Sequence, residues 1–225
     1  MRSSLTIGLL FSTLLAAPAV FAEEAPTPAT TSAKATEKNN RDMLGKGTLI
    51  IAAERVFGFS SSSSKIGDGP TTRQTQYGFL WSNPQSVYQV ARMGIDYMMI
   101  DNVTVGGSLG IAHSSSKTEA GDTNSSTNLL VAPRVGYLFG GTGVLSFWAR
   151  VGPSFWRVAG SGDTSAWGLA VNVEPAIIIS PYSHLGIYLG GAIDLGLAGK
   201  VTVKDQSEKA SLTNFGINSG LAAWF

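Results

Sequence analysis

Over most of this chain apolar and polar residues alternate one by one. In the closing stretch, residues 211–225, the odd positions Thr213, Phe215, Ile217, Ser219, Leu221, Ala223 and Phe225 are mostly apolar, while the even ones include Asn214, Gly216, Asn218 and Gly220. A period of two belongs to a β-strand whose two faces meet different surroundings. Eight segments of this character can be marked: 47–59, 87–99, 102–113, 127–139, 144–158, 166–179, 185–199 and 211–225. Each is about long enough to cross a bilayer as a tilted strand, which takes about 9 to 11 residues.

The connections alternate in kind. Asp101-Asn102, Gly140-Gly141-Thr142-Gly143 and Ser180-Pro181-Tyr182-Ser183-His184 are tight-turn sequences, with Asn and Gly able to take positive φ. The other four are longer and rich in Ser, Thr, Gly and Asp, above all 60–86 and 114–126. Short turns at one end and long polar loops at the other are the pattern of an outer-membrane barrel, and an even strand count puts both chain ends on the same side.

Parity then assigns the faces. On the sixth segment Trp167, Leu169, Val171, Val173, Ile177 and Ile179 share one face, with Gly168, Ala170, Asn172 and Glu174 on the other. On the seventh, Leu185, Ile187, Leu189, Ile193, Leu195 and Leu197 oppose Gly186, Tyr188, Gly190, Ala192 and Asp194. The polar set is too rich in glycine for the solvated exterior of a soluble sandwich. The expected fold is all-β, an eight-stranded antiparallel transmembrane up-and-down barrel with the apolar face toward lipid. Pro133, Pro153 and Pro175 fall inside strands, where each lacks a ladder N–H, so bulges or widened pairing are expected beside them.

Composition agrees and narrows the chemistry. The chain has 225 residues, 44% hydrophobic and 14% charged, with 27 glycines. A net charge of +1 argues against nucleic acid, and the absence of cysteine with only two histidines leaves no thiolate metal site and little for a zinc or iron centre. No cofactor is expected. Arg2, an apolar run from Leu5 to Val20, and Val20-Phe21-Ala22 read as a secretory signal peptide, residues 1–22; the run is short for a membrane anchor. Residues 23–45, mostly Ala, Pro, Thr, Lys and Asn, are expected to be a flexible periplasmic lead, and 46–225 the barrel.

A chain that ends on an amphipathic strand with a terminal Phe resembles the bacterial outer-membrane β-barrel proteins, and the strand count and loop pattern resemble the small barrels of the OmpA and OmpX type. That resemblance implies the outer membrane of a Gram-negative cell envelope, contact with outer-membrane lipids including lipopolysaccharide, a monomer, and a last strand read by the barrel-assembly machinery, with Phe225 as its signal. It also implies a non-enzymatic structural or surface-interaction role. A small gated pore or conduit is the alternative.

Three constellations bear on function. The inward parity collects Glu54, Arg92, Asp96, Arg134, Arg150, Glu174 and Asp194, which must pair in a lumen too narrow for an open channel. Trp148, Trp156, Tyr88 and Tyr188 share that parity. Two aromatic girdles are expected: Phe57, Phe59, Phe155, Trp167 and Phe215 near the outer interface, and Tyr97, Tyr137, Phe139, Phe147 and Phe225 near the inner one. Arg55 and Arg157 take the outward parity near the upper girdle, where they could meet lipopolysaccharide phosphates. Last, His113 and Ser115 have the His-x-Ser spacing of lipid A deacylases, with Glu119 or Asp122 as the only nearby carboxylates; this is the least favoured reading.

Overall fold

The computed structural model describes residues 45–79, 87–117, 123–139, 144–182 and 184–225. The expected signal peptide and nearly all of the lead lie outside them. Among the described residues nine strands form one antiparallel sheet: β1 Leu49–Ile66, β2 Thr72–Phe79, β3 Arg92–Ile100, β4 Val103–Lys117, β5 Thr123–Phe139, β6 Leu145–Gly160, β7 Thr164–Tyr182, β8 Leu185–Val203 and β9 Gln206–Trp224. From β3 to β9 neighbours in sequence pair, β1 pairs with both β2 and β3, and β1 pairs with β9 from Ile50↔Trp224 to Ile66↔Ala210, closing the barrel. Phe225 and Leu49 add two reciprocal backbone bonds of 2.9 and 3.0 Å to that seam. Closure leaves the long edges of β1 and β9 paired, the condition for a sheet to stand in lipid.

Nine strands occupy eight positions in the wall because β2 and β3 share one. The upper part of β1 pairs with β2, from Phe57↔Phe79 to Ser64↔Thr72, and the lower part with β3, from Leu49↔Tyr97 to Glu54↔Arg92. This corrects the sequence reading of 60–86 as one polar loop. Its Ser, Thr and Gln residues extend β1 and build β2, since a hairpin satisfies backbone groups above the membrane as well as water does. A second correction concerns residues 87–91, expected to begin a lipid-facing strand. Val87–Gln89 is one turn of 3-10 helix, and Val87, Tyr88, Gln89 and Val90 are all buried. Similarly, β4 and β5 stay paired from Val103↔Tyr137 to Lys117↔Thr123, so most of the expected loop 114–126 is ladder. The β8–β9 connection is reduced to Lys204-Asp205, with Lys204 at φ 52.

The prolines widen the ladder without shifting it. Between β5 and β6 the pairs Val131↔Phe155 and Val135↔Val151 keep one register, and the unpaired interval between them contains Pro133 and Pro153. Pro175 sits in a similar interval between Val173↔Ile193 and Ala176↔Gly190. Register shifts fall elsewhere, between Ala53 and Phe57, Met98 and Ile100, Leu169 and Ala170, Ile179 and Tyr182, and Asp194 and Lys200.

Outward positions carry the apolar residues. Ile51, Ile95, Leu109, Val135, Val151, Ile177, Leu189 and Ile217 are among the large side chains left exposed on the wall. Inward positions are buried and fall into three levels. Toward the chain ends lies an apolar layer with Ile50, Met98, Leu138, Trp148, Ile178, Tyr188 and Trp224. Toward the other end lies a second, with Val87, Tyr88, Leu130, Ala132, Trp156 and Ala170. Between them on β5, β6 and β7 come Arg134, Arg150 and Glu174.

Candidate functional site

The middle level of the lumen is an ion-pair network. Arg134 sits on β5 at a position whose neighbours across the ladder include Gly106. Its Nη1 and Nη2 donate to Glu54 Oε2 and Oε1 at 2.9 and 2.6 Å, and its Nε and Nη2 donate to Asp96 Oδ1 and Oδ2 at 3.0 and 2.5 Å. Two bidentate contacts use the guanidinium fork on both sides. Arg150 on β6 reaches Glu54 at 2.6 Å and Glu174 at 3.1 Å, with its guanidinium carbon 4.4 Å from the centre of the Trp148 ring. Glu174 on β7 lies within 4 Å of four arginines: Arg55 at 2.7 Å, Arg150 at 3.1 Å, Arg134 at 3.5 Å and Arg92 at 3.7 Å. Asp194 on β8 accepts from Asn172 at 2.7 Å, Asn214 at 3.0 Å and Arg55 at 3.3 Å. All these side chains are 4% exposed or less, so their charges answer to one another rather than to water.

Space for this level comes from glycine. A methyl group on Gly94 of β3 would lie 2.6 Å from Glu54 Oε1 and 2.8 Å from Arg134 Nη2, inside their contact. The position can therefore carry no side chain while Glu54 and Arg134 remain paired.

The structure brings together all seven inward charges named from parity and adds an eighth, which corrects the outward placement of Arg55. Ala53 pairs with Leu221 and Phe57 with Ser219, so β1 holds two more residues than β9 across that interval. Arg55 takes the left-handed region at φ 55, and both Glu54 and Arg55 turn inward, at 1% and 3% exposure. Because two residues are extra, the parity beyond the bulge is unchanged and Phe57 faces outward again. The Arg55 backbone N–H donates to the Tyr188 hydroxyl at 2.9 Å, and its Nη1 donates to the Tyr88 carbonyl oxygen, tying β1 to β8 and to the 3-10 turn. A signal for this was present in the sequence: four inward acids faced only three arginines, and an adjacent Glu-Arg pair in mid-strand cannot both point inward without a bulge. With Arg55 the network of Glu54, Asp96, Glu174 and Asp194 against Arg55, Arg92, Arg134 and Arg150 is charge-balanced.

Trp148, Tyr88, Tyr188 and Trp156 are buried within the lumen. The rings assigned to girdles are all on the outer surface. Phe57, Phe59, Phe155, Trp167 and Phe215 are 42–54% exposed, and Tyr97, Tyr137, Phe139 and Phe147 are 40–48% exposed, with Phe225 at 72%. Phe155 stacks with Trp167, and Phe139 lies between Tyr137 and Phe147, with centroids at 4.8 and 5.3 Å. Tyr77 and Tyr182 are exposed outward-surface rings that parity alone did not single out. Arg157 is exposed on β6. His113 Nδ1 lies 2.9 Å from Thr127 Oγ1 across the β4–β5 ladder, so its bond is to that neighbour; Glu119 and Asp122 lie outside the described residues.

No protein-family model matches the chain, and no curated protein matches it. Solved structures do. The outer membrane protein AlkL, determined by solid-state NMR in lipid bilayers, superposes with a TM-score of 0.52 at 13% identity, over 90% of this chain and 97% of that one. OprG, an outer membrane protein of Pseudomonas aeruginosa, superposes with a TM-score of 0.50 at 14% identity, over 80% of this chain and 97% of that one. The fold is thus that of the small outer-membrane β-barrels, and the apolar outer wall is the surface such a fold presents to lipid.

Proposed function

We propose that this outer-membrane barrel is a non-enzymatic, non-conducting protein whose role in the cell envelope is structural and surface-presenting, with the lumen closed by its internal charge network. The supporting observation is the filling of the lumen at three levels, two apolar and one ionic, with the ionic level charge-balanced. A void beside Arg55, Tyr88, Gln89 and Asn214 has a volume of about 10 Å³, room for about one water molecule. Breaking these pairs to open a path would leave buried charges uncompensated, a cost of roughly 3–5 kcal/mol for each partner lost. The paired ends of β1–β2 and β4–β5, with their rows of Ser, Thr, Asn and Gln, supply the surface that would be presented outside the cell.

Planar-bilayer recording checks this reading. The purified protein is expected to give no steady conductance. Reproducible unitary steps whose size changes with Arg150→Gln would assign the gated-pore role instead. One observation favours that second reading: among the described residues, the upper part of β4, Ile111 to Lys117, has ladder partners on β5 only, while β2 has ladder partners on β1 only, so no strand ladder joins the two.

Assembly is proposed to depend on the closing strand. Phe225 contributes two backbone bonds to the seam and an exposed ring. Deleting it is expected to reduce insertion into the outer membrane of cells several-fold, while refolding in detergent stays near that of the intact chain. Equal losses in cells and in detergent would leave Phe225 with a girdle role alone.

A further inference from the structure

The outer wall carries a cluster of basic residues that the barrel's own structure does not neutralise. Lys200 of β8 and Lys209 of β9 are direct cross-strand partners. Like charges placed opposite each other on a ladder are destabilising unless something lies between or over them. Lys65 of β1 pairs with Ser211, two residues along β9 from Lys209 on the same face, which makes Lys65 a diagonal neighbour of that pair. Arg157 of β6 pairs with Trp167 of β7, and Trp167 pairs with Lys200, so a fourth cation continues the row. All four cations are exposed, and among the described residues none of them forms an ion pair within 4.0 Å.

A groove runs beside them. The β8–β9 ladder is interrupted between Asp194↔Asn214 and Lys200↔Lys209, where β8 has one residue more than β9. Leu197 is displaced outward there and is 64% exposed. The groove, about 480 Å³, is lined by Lys65, Lys209, Ser211, Trp167, Leu197 and the glycines between them. The nearby acid is Glu208, whose carboxylate lies beside Gly67 at the groove's edge; on β9 it alternates to the face opposite Lys209. Asp68, Asp163 and Asp205 occupy the turns above. The groove is thus basic with apolar Trp167 and Leu197 beside it.

Its height in the membrane follows from the rings. Trp167 and Phe155 stack in the outer aromatic row, while β1 continues from Phe59 to Ile66 and β4 to Lys117 beyond it. Long projections mark the extracellular end of such barrels. The cluster therefore lies where the acyl chains of the outer leaflet give way to headgroups. We infer that this groove binds the phosphorylated sugar headgroup of a lipopolysaccharide, with Lys65, Lys200 and Lys209 on its phosphates and its acyl chains against Leu197 and Trp167. A phosphate between Lys200 and Lys209 turns their repulsion into two charge-assisted contacts. The inference depends on which way the barrel stands in the membrane and is independent of whether the lumen conducts.

The test is titration of the purified protein in detergent with bisphosphorylated lipid A, followed by native mass spectrometry and by the thermal midpoint. Dephosphorylated lipid A, phosphatidylglycerol and inorganic phosphate serve as comparisons. Bisphosphorylated lipid A is expected to bind and raise the midpoint of the unmodified protein. The variant Lys65→Gln/Lys200→Gln/Lys209→Gln is expected to bind it about 100-fold more weakly, given about fivefold for each lysine near a charged surface. Lys200→Gln alone, expected to weaken binding about fivefold, decides the matter if the triple variant does not reach the folded, heat-modifiable form. Equal affinity of the variants and the unmodified protein would overturn the site. So would equal binding of dephosphorylated lipid A or phosphatidylglycerol, and so would saturation by inorganic phosphate alone.

Discussion

Replacing Arg55 by leucine is expected to destabilise the folded barrel by roughly 3–5 kcal/mol, the cost of leaving a buried ionic partner uncompensated. Its guanidinium holds Glu174 at 2.7 Å and Asp194 at 3.3 Å, and it donates to the Tyr88 carbonyl, so its loss leaves the lumen one negative charge in excess. The sign of the effect separates two placements. On the outer wall an arginine costs about 2–4 kcal/mol at mid-membrane and about 0–1 near the interface, so leucine there would be neutral or stabilising. Urea unfolding of the protein in lipid vesicles reads the difference directly. Adding Asp194→Asn to Arg55→Leu restores charge balance and is expected to recover part of the loss, a non-additivity that marks a shared network. A neutral or stabilising Arg55→Leu would return Arg55 to the lipid face.

Arg134→Ala is expected to cost a similar amount, roughly 3–5 kcal/mol, for a different local reason. Glu54 keeps Arg150 when Arg134 is removed, but Asp96 has no other ion pair among the described residues. Asp96 is wholly buried, so its carboxylate would be left with neither water nor cation. A second substitution, Asp96→Leu on Arg134→Met, takes away the orphaned charge and fills its volume; buried pairs replaced in this way are often close to neutral. The double variant is therefore expected to unfold at a higher urea concentration than Arg134→Ala. An unchanged midpoint for Arg134→Ala would mean that the guanidinium is not paired inside the barrel.

Period-two alternation decides by itself which side chains share a face, because successive residues of a strand must point opposite ways. That is why Glu54, Asp96, Arg134, Arg150, Glu174 and Asp194 were legible as one inward set and Phe155 and Trp167 as outward neighbours. Parity fails wherever the count of residues on two strands differs. The two extra residues between Ala53 and Phe57 hide Arg55 from any reading that alternates strictly, and the extra residue beside Leu197 turns Lys200 toward the face it shares with Trp167 and Lys209.

Polarity fails in another way. Serine, threonine and glutamine in residues 60–79 and 114–117 look like loop because loops are usually polar, yet a ladder above the membrane needs no apolar face. Conversely, Val87 and Tyr88 look like strand, although the chain there turns into the lumen and buries them. Local alternation and turn chemistry are enough to read off an antiparallel barrel with a greasy exterior, a polar middle and an amphipathic closing strand. Folding in three dimensions adds the rest: β2 and β3 share one wall position, Arg55 completes the ionic level, and Lys65, Lys200 and Lys209 meet around one groove. Each of those depends on register between strands, which is set by bulges and by contacts between residues far apart in the chain, such as Ser62 and Asn214, 152 positions apart.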